Sequence, residues 1–399
     1  MNFDPCGVVI SVWEMNFVVQ GIAVGFPWNA LLSSTDYYRE QLNDTASLST
    51  LEAALTLAYV SMNLIAFAWL HRPRREKESS HAELGYIRLY FAVNLFTFLV
   101  LGISPWLPAQ VSTEHGLFGV VVVVSALLGA TSAYFQHAIF ALAARDGPSR
   151  TRAFLFGFAL AGTLASVFAL ATRSFTDPES TAALNFGVTE LCLVLGLITF
   201  ICRKTKTSLV NEAAVPNSHD VNRDEVEHLV PETVDRKKLR LSLLVVALSM
   251  SGSLMVFPAL VASLKPVSPG QDPHEFTSLL FLCFNIGDLT GRGLSSALAH
   301  FSDSTLFVGI LARTCSLALF GLCNRSDTPT SGTLGDGSVY ALVLLQGVFG
   351  GCLFAAAAAH APKATPGDPG KAGKLVAVTV AVSLAAGASG GTVLISLLE

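Results

Sequence analysis

The sequence has 399 residues, of which 52% are hydrophobic and only 14% are charged. An average soluble domain carries about 25% charged residues, so this chain has too little polar surface to cover a water-soluble fold of its length. The net charge of -4 is small and no basic stripe is present, which argues against a nucleic-acid-binding surface. The composition therefore favours an integral membrane protein that binds no nucleic acid.

Long apolar segments recur along the whole chain, near or above the roughly 18 to 20 residues that a helix needs to cross the hydrocarbon core. They are too long and too uniformly apolar for the strands of a barrel. We therefore predict an all-α polytopic membrane protein with about eleven transmembrane helices. The predicted spans cover residues 8–32, 51–70, 85–106, 117–144, 153–172, 184–202, 239–264, 276–299, 305–323, 338–361 and 375–398.

One long polar connection interrupts this pattern. Residues 204–238 are rich in Asn, Glu, Asp, His and Lys and poor in aromatic residues, which is typical of a flexible cytosolic loop. The loop separates a predicted N-terminal bundle of six helices, residues 1–203, from a C-terminal bundle of five, residues 239–399. Two such bundles around a central site form the major-facilitator-like arrangement of secondary transporters.

The basic residues predict the orientation of the chain. With the N-terminus in the cytosol, twenty Lys and Arg residues fall in cytosolic segments and four fall on the opposite side, which satisfies the positive-inside rule. The first apolar segment lacks the basic region of a cleavable signal peptide, so we expect it to remain in the mature chain. These patterns predict a cytosolic N-terminus and an extracellular C-terminus, and we expect the membrane to be the plasma membrane.

Signals for modification and metal binding are few. Asn43-Asp44-Thr45 is a glycosylation sequon in a loop that the orientation places outside, so Asn43 is the predicted glycosylation site. A second sequon begins at Asn324 but abuts the ninth span. The seven cysteines form no CxxC motif and no Cys/His cluster. We interpret them as small buried side chains and predict neither a metal site nor a cofactor.

Two motifs carry a family resemblance. Residues 21–29 read Gly-Ile-Ala-Val-Gly-Phe-Pro-Trp-Asn, and residues 284–292 read Phe-Asn-Ile-Gly-Asp-Leu-Thr-Gly-Arg. Both resemble signatures of the equilibrative nucleoside transporter family. Weaker similarities follow in family order at Gln136, Phe140, Ala141, Gly162, Ser166, Phe257, Pro258, Arg313, Cys323, Asn324, Gly351 and Pro362. The chain departs from the family where Gly350 stands in place of an asparagine and Ala318 in place of a proline.

The resemblance implies a transporter, not an enzyme, that moves nucleosides or nucleobases across the bilayer by alternating access. The expected partners are that small solute and the lipid bilayer, and proton coupling through His137, Glu14 or Glu190 stays open. The alternatives are a carrier of another small polar solute such as a sugar, an intramembrane enzyme, or a receptor. Against an intramembrane aspartyl protease, Asn285 stands where that motif has glycine, and no second span supplies a clear partner aspartate.

Asp288 and Arg292 are the leading candidates for substrate binding. They are four residues apart, so they share a helix face in the favourable order, with the acid N-terminal to the base. Charges near the bilayer midplane are costly and normally face a cavity or a partner. Asp288 can accept hydrogen bonds from ribose hydroxyls, and Arg292 can donate to ribose or base acceptors. The alternative is an internal ion pair that holds the eighth helix in place.

Gln136 and Trp28 complete the predicted substrate contacts. The amide of Gln136 offers the donors and the acceptor that a base edge requires, and the resemblance implies a base-contacting glutamine here; the alternative is an interhelical hydrogen bond. Trp28 can stack on a base or sugar, or belong to an interfacial aromatic belt. The remaining candidates, for structure or gating, are Asn29, Asn285, Arg313, Gly162 and Gly351. For Arg313 we expect a buried structural partner.

Overall fold

The computed structural model describes residues 12–34, 37–38, 48–71, 80–103, 114–173, 177–213, 234–297, 303–325 and 333–398. Within these residues the regular elements are helices, and no strand occurs. The first six helices are Val12–Ser33 (α1), Leu48–Leu70 (α2), Ser80–Ile103 (α3), Glu114–Asp146 (α4), Pro148–Arg173 (α5) and Pro178–Ala213 (α6). The next five are Arg236–Val256 (α7), Pro273–Leu294 (α8), Asp303–Ser316 (α9), Asp336–His360 (α10) and Pro369–Leu398 (α11).

Nine helical segments of the described chain are long and apolar enough to cross a membrane. The other two long helices fall short for different reasons. The apolar part of α2, Ala54–Leu70, is shorter than the rest, and α8 carries Asn285, Asp288 and Arg292 within its length. Large apolar side chains such as Phe96 and Val308 are more than 60% exposed, as expected for surfaces that face lipid. The predicted all-α polytopic membrane fold is confirmed.

The helix ends differ from the sequence-based boundaries around the long connection. α6 continues to Ala213, so its backbone extends into the segment predicted as a loop. α7 begins at Arg236 because the Asp235 carboxylate accepts a hydrogen bond from the Lys238 backbone N–H at 3.0 Å, a helix-capping contact. Asp235 was predicted to lie in the loop. A basic first turn therefore belongs to the helix, and the polar composition of this stretch hid its start.

Three later helices change geometry near one end. α7 ends at Val256, close to Pro258, which has no backbone N–H to continue the hydrogen-bond ladder. One more helical turn, Ala259–Ala262, follows this break. Short 3-10 segments extend α9 over Leu317–Leu322 and α10 over Ala361–Ala364. The break in α7 brings Phe257 and Pro258 to the wall of a central cavity.

The helices form two groups that meet along a central seam. In the first group α1 contacts α5 and α6, α2 contacts α4, and α3 contacts α4 and α6. In the second group α8 contacts α10, while α7 contacts α9, α10 and α11. Across the seam, α5 contacts α8 and α10, and α11 contacts α2 and α4. That residues 1–203 and 239–399 move as two separate bundles stays a prediction.

Glycines allow two helix pairs to approach closely. On α1 and α5, a Cβ atom at Gly21 would lie 2.1 Å from the Phe154 oxygen, and one at Gly157 would lie 2.0 Å from the Val18 oxygen. On α8 and α10, a Cβ atom at Gly291 would lie 2.1 Å from the Val348 oxygen. Small residues at such contacts are typical of helix packing in lipid. The two motifs of the family resemblance therefore lie at the tightest helix contacts.

Candidate functional site

A cavity of about 150 Å³ lies on the seam between the two helix groups. Its walls come from α1, α2, α4 and α5 on one side and from α7, α8, α10 and α11 on the other. The four predicted substrate contacts, Trp28, Gln136, Asp288 and Arg292, all line it. Residues that are up to 264 positions apart in the chain therefore line one cavity. Their role in binding stays a prediction.

Asp288 and Arg292 form a two-pronged ion pair on the cavity wall. Arg292 Nε donates to Asp288 Oδ1 at 3.0 Å, and Nη2 lies 2.7 Å from Oδ2. The same guanidinium donates through Nη1 to the Leu155 backbone oxygen on α5 at 2.9 Å, across the seam. It also lies over the rings of Phe158 and Phe354, at 5.4 and 5.1 Å. Arg292 thus has a structural role in this conformation, whereas Asp288 keeps 15% of its side chain exposed.

Gln136 lines the same cavity and has an unused acceptor. Its side chain is only 4% exposed, and its Oε1 has no hydrogen-bond partner among the described residues. A buried polar atom without a partner is costly, which is why Gln136 stays a candidate for a substrate contact. Trp28 also lines the cavity, and its ring packs obliquely on Tyr59 with centroids 4.5 Å apart. Together these side chains form an aromatic and amide face.

Asn285 connects α8 to α5 beside the charged pair. Its Nδ2 donates to Ser166 Oγ at 2.8 Å, and its backbone oxygen accepts a hydrogen bond from Thr163 Oγ1 at 3.0 Å. A Cβ atom at Gly162 would lie 2.7 Å from Asn285 Oδ1, so only glycine fits there. Asn29 instead donates within its own helix, to the Gly25 oxygen at 2.8 Å. Of these candidates, Asn285 and Gly162 are the pair that the structure brings into contact across the seam.

The other two structural candidates lie behind the cavity wall. Arg313 and Gly351 are not among the residues that line the cavity. A Cβ atom at Gly351 would lie 2.4 Å from the Asp288 backbone oxygen, so this glycine allows α10 to contact α8 at the ion pair. At the preceding position, a Cβ atom on Gly350 would lie 2.7 Å from Arg313 Nη2. The double glycine, a departure from the family pattern, therefore accommodates both charged neighbours.

Comparison with known proteins agrees with this architecture and with the motifs. The family model described as "Nucleoside transporter" matches residues 210–395. Equilibrative nucleoside transporter 3 of Rattus norvegicus is 22% identical over 90% of this chain and 83% of its own length. Nucleoside transporter FUN26 of Saccharomyces cerevisiae is 23% identical over 84% and 74%, and equilibrative nucleoside transporter 1 of Homo sapiens is 22% identical over 79% and 80%. These matches make the chain similar to equilibrative nucleoside transporters over most of its length, at low identity. The resemblance expected from its two motifs is thereby confirmed.

A second charged cluster lies where α3, α4 and α11 meet. The Glu83 carboxylate accepts hydrogen bonds from Arg145 at 2.7 and 2.8 Å, and Lys374 Nζ lies 2.9 Å from Glu83 Oε1. Next to it, a Cβ atom at Gly373 would lie 2.3 Å from the Phe140 oxygen. The two helix groups are therefore in tight contact at this end of the seam, which the basic residues predict to be cytosolic. No local sequence signal links Glu83 to Lys374.

Of the two sequons, the structure describes the asparagine of the second only. Asn324 is 2% exposed, and its Nδ2 donates to the Pro266 oxygen at 3.3 Å. Its amide is therefore unavailable for glycosylation in the folded chain. Asn43 lies outside the described residues, so its modification stays a prediction.

Proposed function

We propose that this chain carries nucleosides across a membrane. The observation that supports the proposal best is the cavity on the seam, which Asp288, Gln136 and Trp28 all line. A nucleoside has hydroxyl donors on its sugar, a planar base, and donors and acceptors on the base edge. A carboxylate, an aromatic face and an amide match these three features. The curated relatives that are named as nucleoside transporters lend the same support.

The proposed mechanism is alternating access between the two helix groups. In the present conformation the groups are held together by Lys374 with Glu83 at one end of the seam and by Arg292 with Leu155 beside the cavity. The Asp288–Arg292 pair lies within one helix, so it can persist while contacts across the seam break. A substrate that binds both groups would favour their movement relative to each other, as in other two-bundle carriers.

Uptake in cells that express the chain tests the substrate class. Labelled adenosine, uridine and hypoxanthine should be compared with and without an imposed pH gradient, against cells carrying the empty vector. We expect saturable adenosine and uridine uptake; hypoxanthine uptake would extend the substrates to nucleobases. Uptake of none of the three, with the chain present in the membrane, would contradict the proposal, and sugar uptake in the same cells would favour the alternative carrier.

The pH arm of this experiment addresses proton coupling. His137 follows the cavity residue Gln136 on α4, and its ring lies 5.4 Å from the ring of His71. Its buried Nδ1 has no hydrogen-bond partner among the described residues. Histidine is the side chain best suited to bind a proton near neutral pH. Accumulation driven by the gradient, and its loss in His137→Gln, would assign coupling to this residue; uptake that ignores the gradient would assign facilitated transport.

The orientation and the membrane also belong to the proposal. The bias in basic residues supports a cytosolic N-terminus and segment 204–238, and an outside C-terminus. We further propose that the membrane is the plasma membrane. An epitope inserted between residues 214 and 233 should react with antibody only after permeabilisation of the cells. A C-terminal epitope should react on intact cells. The reverse result would overturn the orientation, and staining confined to internal compartments would overturn the location.

A further inference from the structure

A buried arginine on α9 has only neutral hydrogen-bond partners among the described residues. Arg313 is 3% exposed. Its Nη1 donates to the Ser249 backbone oxygen at 2.8 Å, and its Nη2 donates to Ser253 Oγ at 2.9 Å. None of the ion pairs in the described part of the chain includes it. A charge held this way inside a membrane is costly, so a functional role is its default interpretation.

Two glycines form a slot around the guanidinium group. A Cβ atom at Gly252 on α7 would lie 2.8 Å from Arg313 Nη1. A Cβ atom at Gly350 on α10 would lie 2.7 Å from Nη2 and 3.0 Å from Ser253 Oγ. Any larger residue at either position would push the cation away from the serine. The sequence of α7 and α10 therefore keeps Arg313 against Ser253.

Ser253 connects this buried cation to the cavity, because Ser253 is one of the residues that line it. A serine hydroxyl has one proton to donate and two lone pairs. The bond from Arg313 occupies a lone pair, and no bond donated by the Ser253 hydroxyl occurs among the described residues. The hydroxyl proton is therefore available to a substrate. A neighbouring cation also polarises the O–H bond and strengthens its donation to an acceptor.

We propose that Ser253 is a specificity-determining substrate contact, whose hydroxyl donates a hydrogen bond to the 5′-oxygen of the nucleoside sugar. Arg313 is its positioning residue. This inference rests on the proposed transport of nucleosides. Gly350 adjoins Arg313 and Ser253, and the next residue, Gly351, adjoins Asp288. Ser253 and Asp288 thus lie on neighbouring sides of α10, and both belong to the second helix group. If the Asp288 carboxylate binds other hydroxyl groups of the sugar, the 5′-oxygen of the same sugar is the nearby acceptor for Ser253.

Competition by sugar analogues tests the proposal in the full chain. Inhibition of labelled adenosine uptake should be measured for adenosine, 5′-deoxyadenosine and 3′-deoxyadenosine, in the original chain and in Ser253→Ala. The original chain should bind 5′-deoxyadenosine about three- to tenfold more weakly than adenosine, the range expected for one lost hydrogen bond. In Ser253→Ala this ratio should fall to about one, while the 3′-deoxy ratio should not change.

Ser249→Ala is the matched control. Ser249 lies one turn away on α7, its hydroxyl is buried without a partner among the described residues, and only its backbone oxygen contacts Arg313. This control should keep both analogue ratios. Arg313→Gln removes the cation from Ser253 and should lower the 5′-deoxy ratio while leaving the 3′-deoxy ratio in place, which general loss of folded protein cannot do.

The failure of this inference is distinguishable from the failure of the proposed function. If the original chain takes up no nucleoside, the transport proposal fails. If it transports adenosine but Ser253→Ala keeps the 5′-deoxy ratio, the Ser253 contact is refuted. Equal changes in both sugar ratios, or a change confined to base analogues, would likewise overturn the assignment to the 5′-oxygen.

Discussion

The two helix groups contribute very different faces to the same cavity. The first group supplies aromatic and amide side chains, among them Trp28, Tyr59 and Gln136, and no charged residue to the lining of the described chain. The second group also supplies aromatic rings, but it alone supplies the two charged residues that line the cavity in the described chain, Asp288 and Arg292. An aromatic face accepts any planar ring, whereas fixed charges and hydrogen bonds select particular polar atoms. From the difference in charge we predict that the second group binds the sugar and the first group binds the base.

The position of the ion pair matters if the two helix groups move relative to each other. The ion pair of the second group lies within α8, so a change in the angle between the groups need not expose an unpaired charge. The contacts that do cross the seam near it are a backbone oxygen, Leu155, and an amide, Asn285. Neither contact is an ion pair, although the bond to Leu155 comes from the Arg292 guanidinium. If the two groups move relative to each other, the Asp288–Arg292 pair can therefore stay intact.

The largest expected effect is on the charged face. Asp288→Asn keeps the shape of the side chain but removes its charge, so adenosine uptake per surface molecule should fall more than tenfold. The variant should also lose the ability to distinguish adenosine from 3′-deoxyadenosine. Uptake and competition in cells measure both quantities. An Asp288→Asn chain with unchanged rate, affinity and sugar discrimination would show that the division between base and sugar is wrong.

A folding defect could imitate this loss, because breaking a buried ion pair can cost about 3 to 5 kcal/mol. Surface abundance and the detergent melting temperature must therefore be measured alongside uptake. Asp336→Asn is the matched control: Asp336 accepts hydrogen bonds from the backbone N–H groups of Val267 and Ser268 at 2.8 and 2.9 Å, away from the cavity lining. It should lower stability while preserving sugar discrimination.

A smaller effect is expected on the aromatic and amide face. Gln136→Ala should weaken binding of nucleosides whose base edge it contacts by about five- to tenfold, since one hydrogen bond to a buried group is lost. Competition by adenosine, inosine and uridine measures the pattern, and sugar discrimination should survive. Gln20→Ala removes another buried amide of the first group, one that donates to the Gly196 oxygen at 2.8 Å outside the cavity. If both variants reduce every nucleoside equally, Gln136 serves helix packing.

Sequence reasoning located the helices and the side chains that belong to one local motif. The helices follow from long apolar segments, and Asp288 and Arg292 share a face because a spacing of four is one helical turn. It could not find Ser253 or Tyr59, which are ordinary residues within apolar helices and become significant only through Arg313 and Trp28. A family pattern that covers isolated positions has no way to indicate such three-dimensional neighbours.

Contacts between distant segments were equally inaccessible from sequence. Glu83 and Lys374 are 291 positions apart, and each fits a solvent-exposed loop end when considered alone. The start of α7 was misplaced for another reason: Arg236, Lys237 and Lys238 look like loop residues until the cap at Asp235 is recognised. Charge composition predicts the side of the membrane, but the partner of each charge depends on how the helices pack.

The smallest expected effect concerns the ion pair between Lys374 and Glu83, which joins the two groups away from the cavity. Lys374→Gln leaves Glu83 bound to Arg145 within the first group, so folding should be preserved. The closed end of the seam should open more often, by about two- to fivefold, because partly exposed ion pairs contribute at most about 1 kcal/mol.

Ala144, which lies at this closed end beside Gly373, is a suitable position for a cysteine reporter. With the seven native cysteines replaced, maleimide should label Ala144→Cys faster when Lys374→Gln is present. Lys371→Gln changes an exposed lysine on the same helix and should leave the labelling rate unchanged. Equal labelling in the Lys374→Gln and Lys371→Gln chains would mean that neutral contacts alone hold the two groups together at this end, and that ion pairs act only within each group.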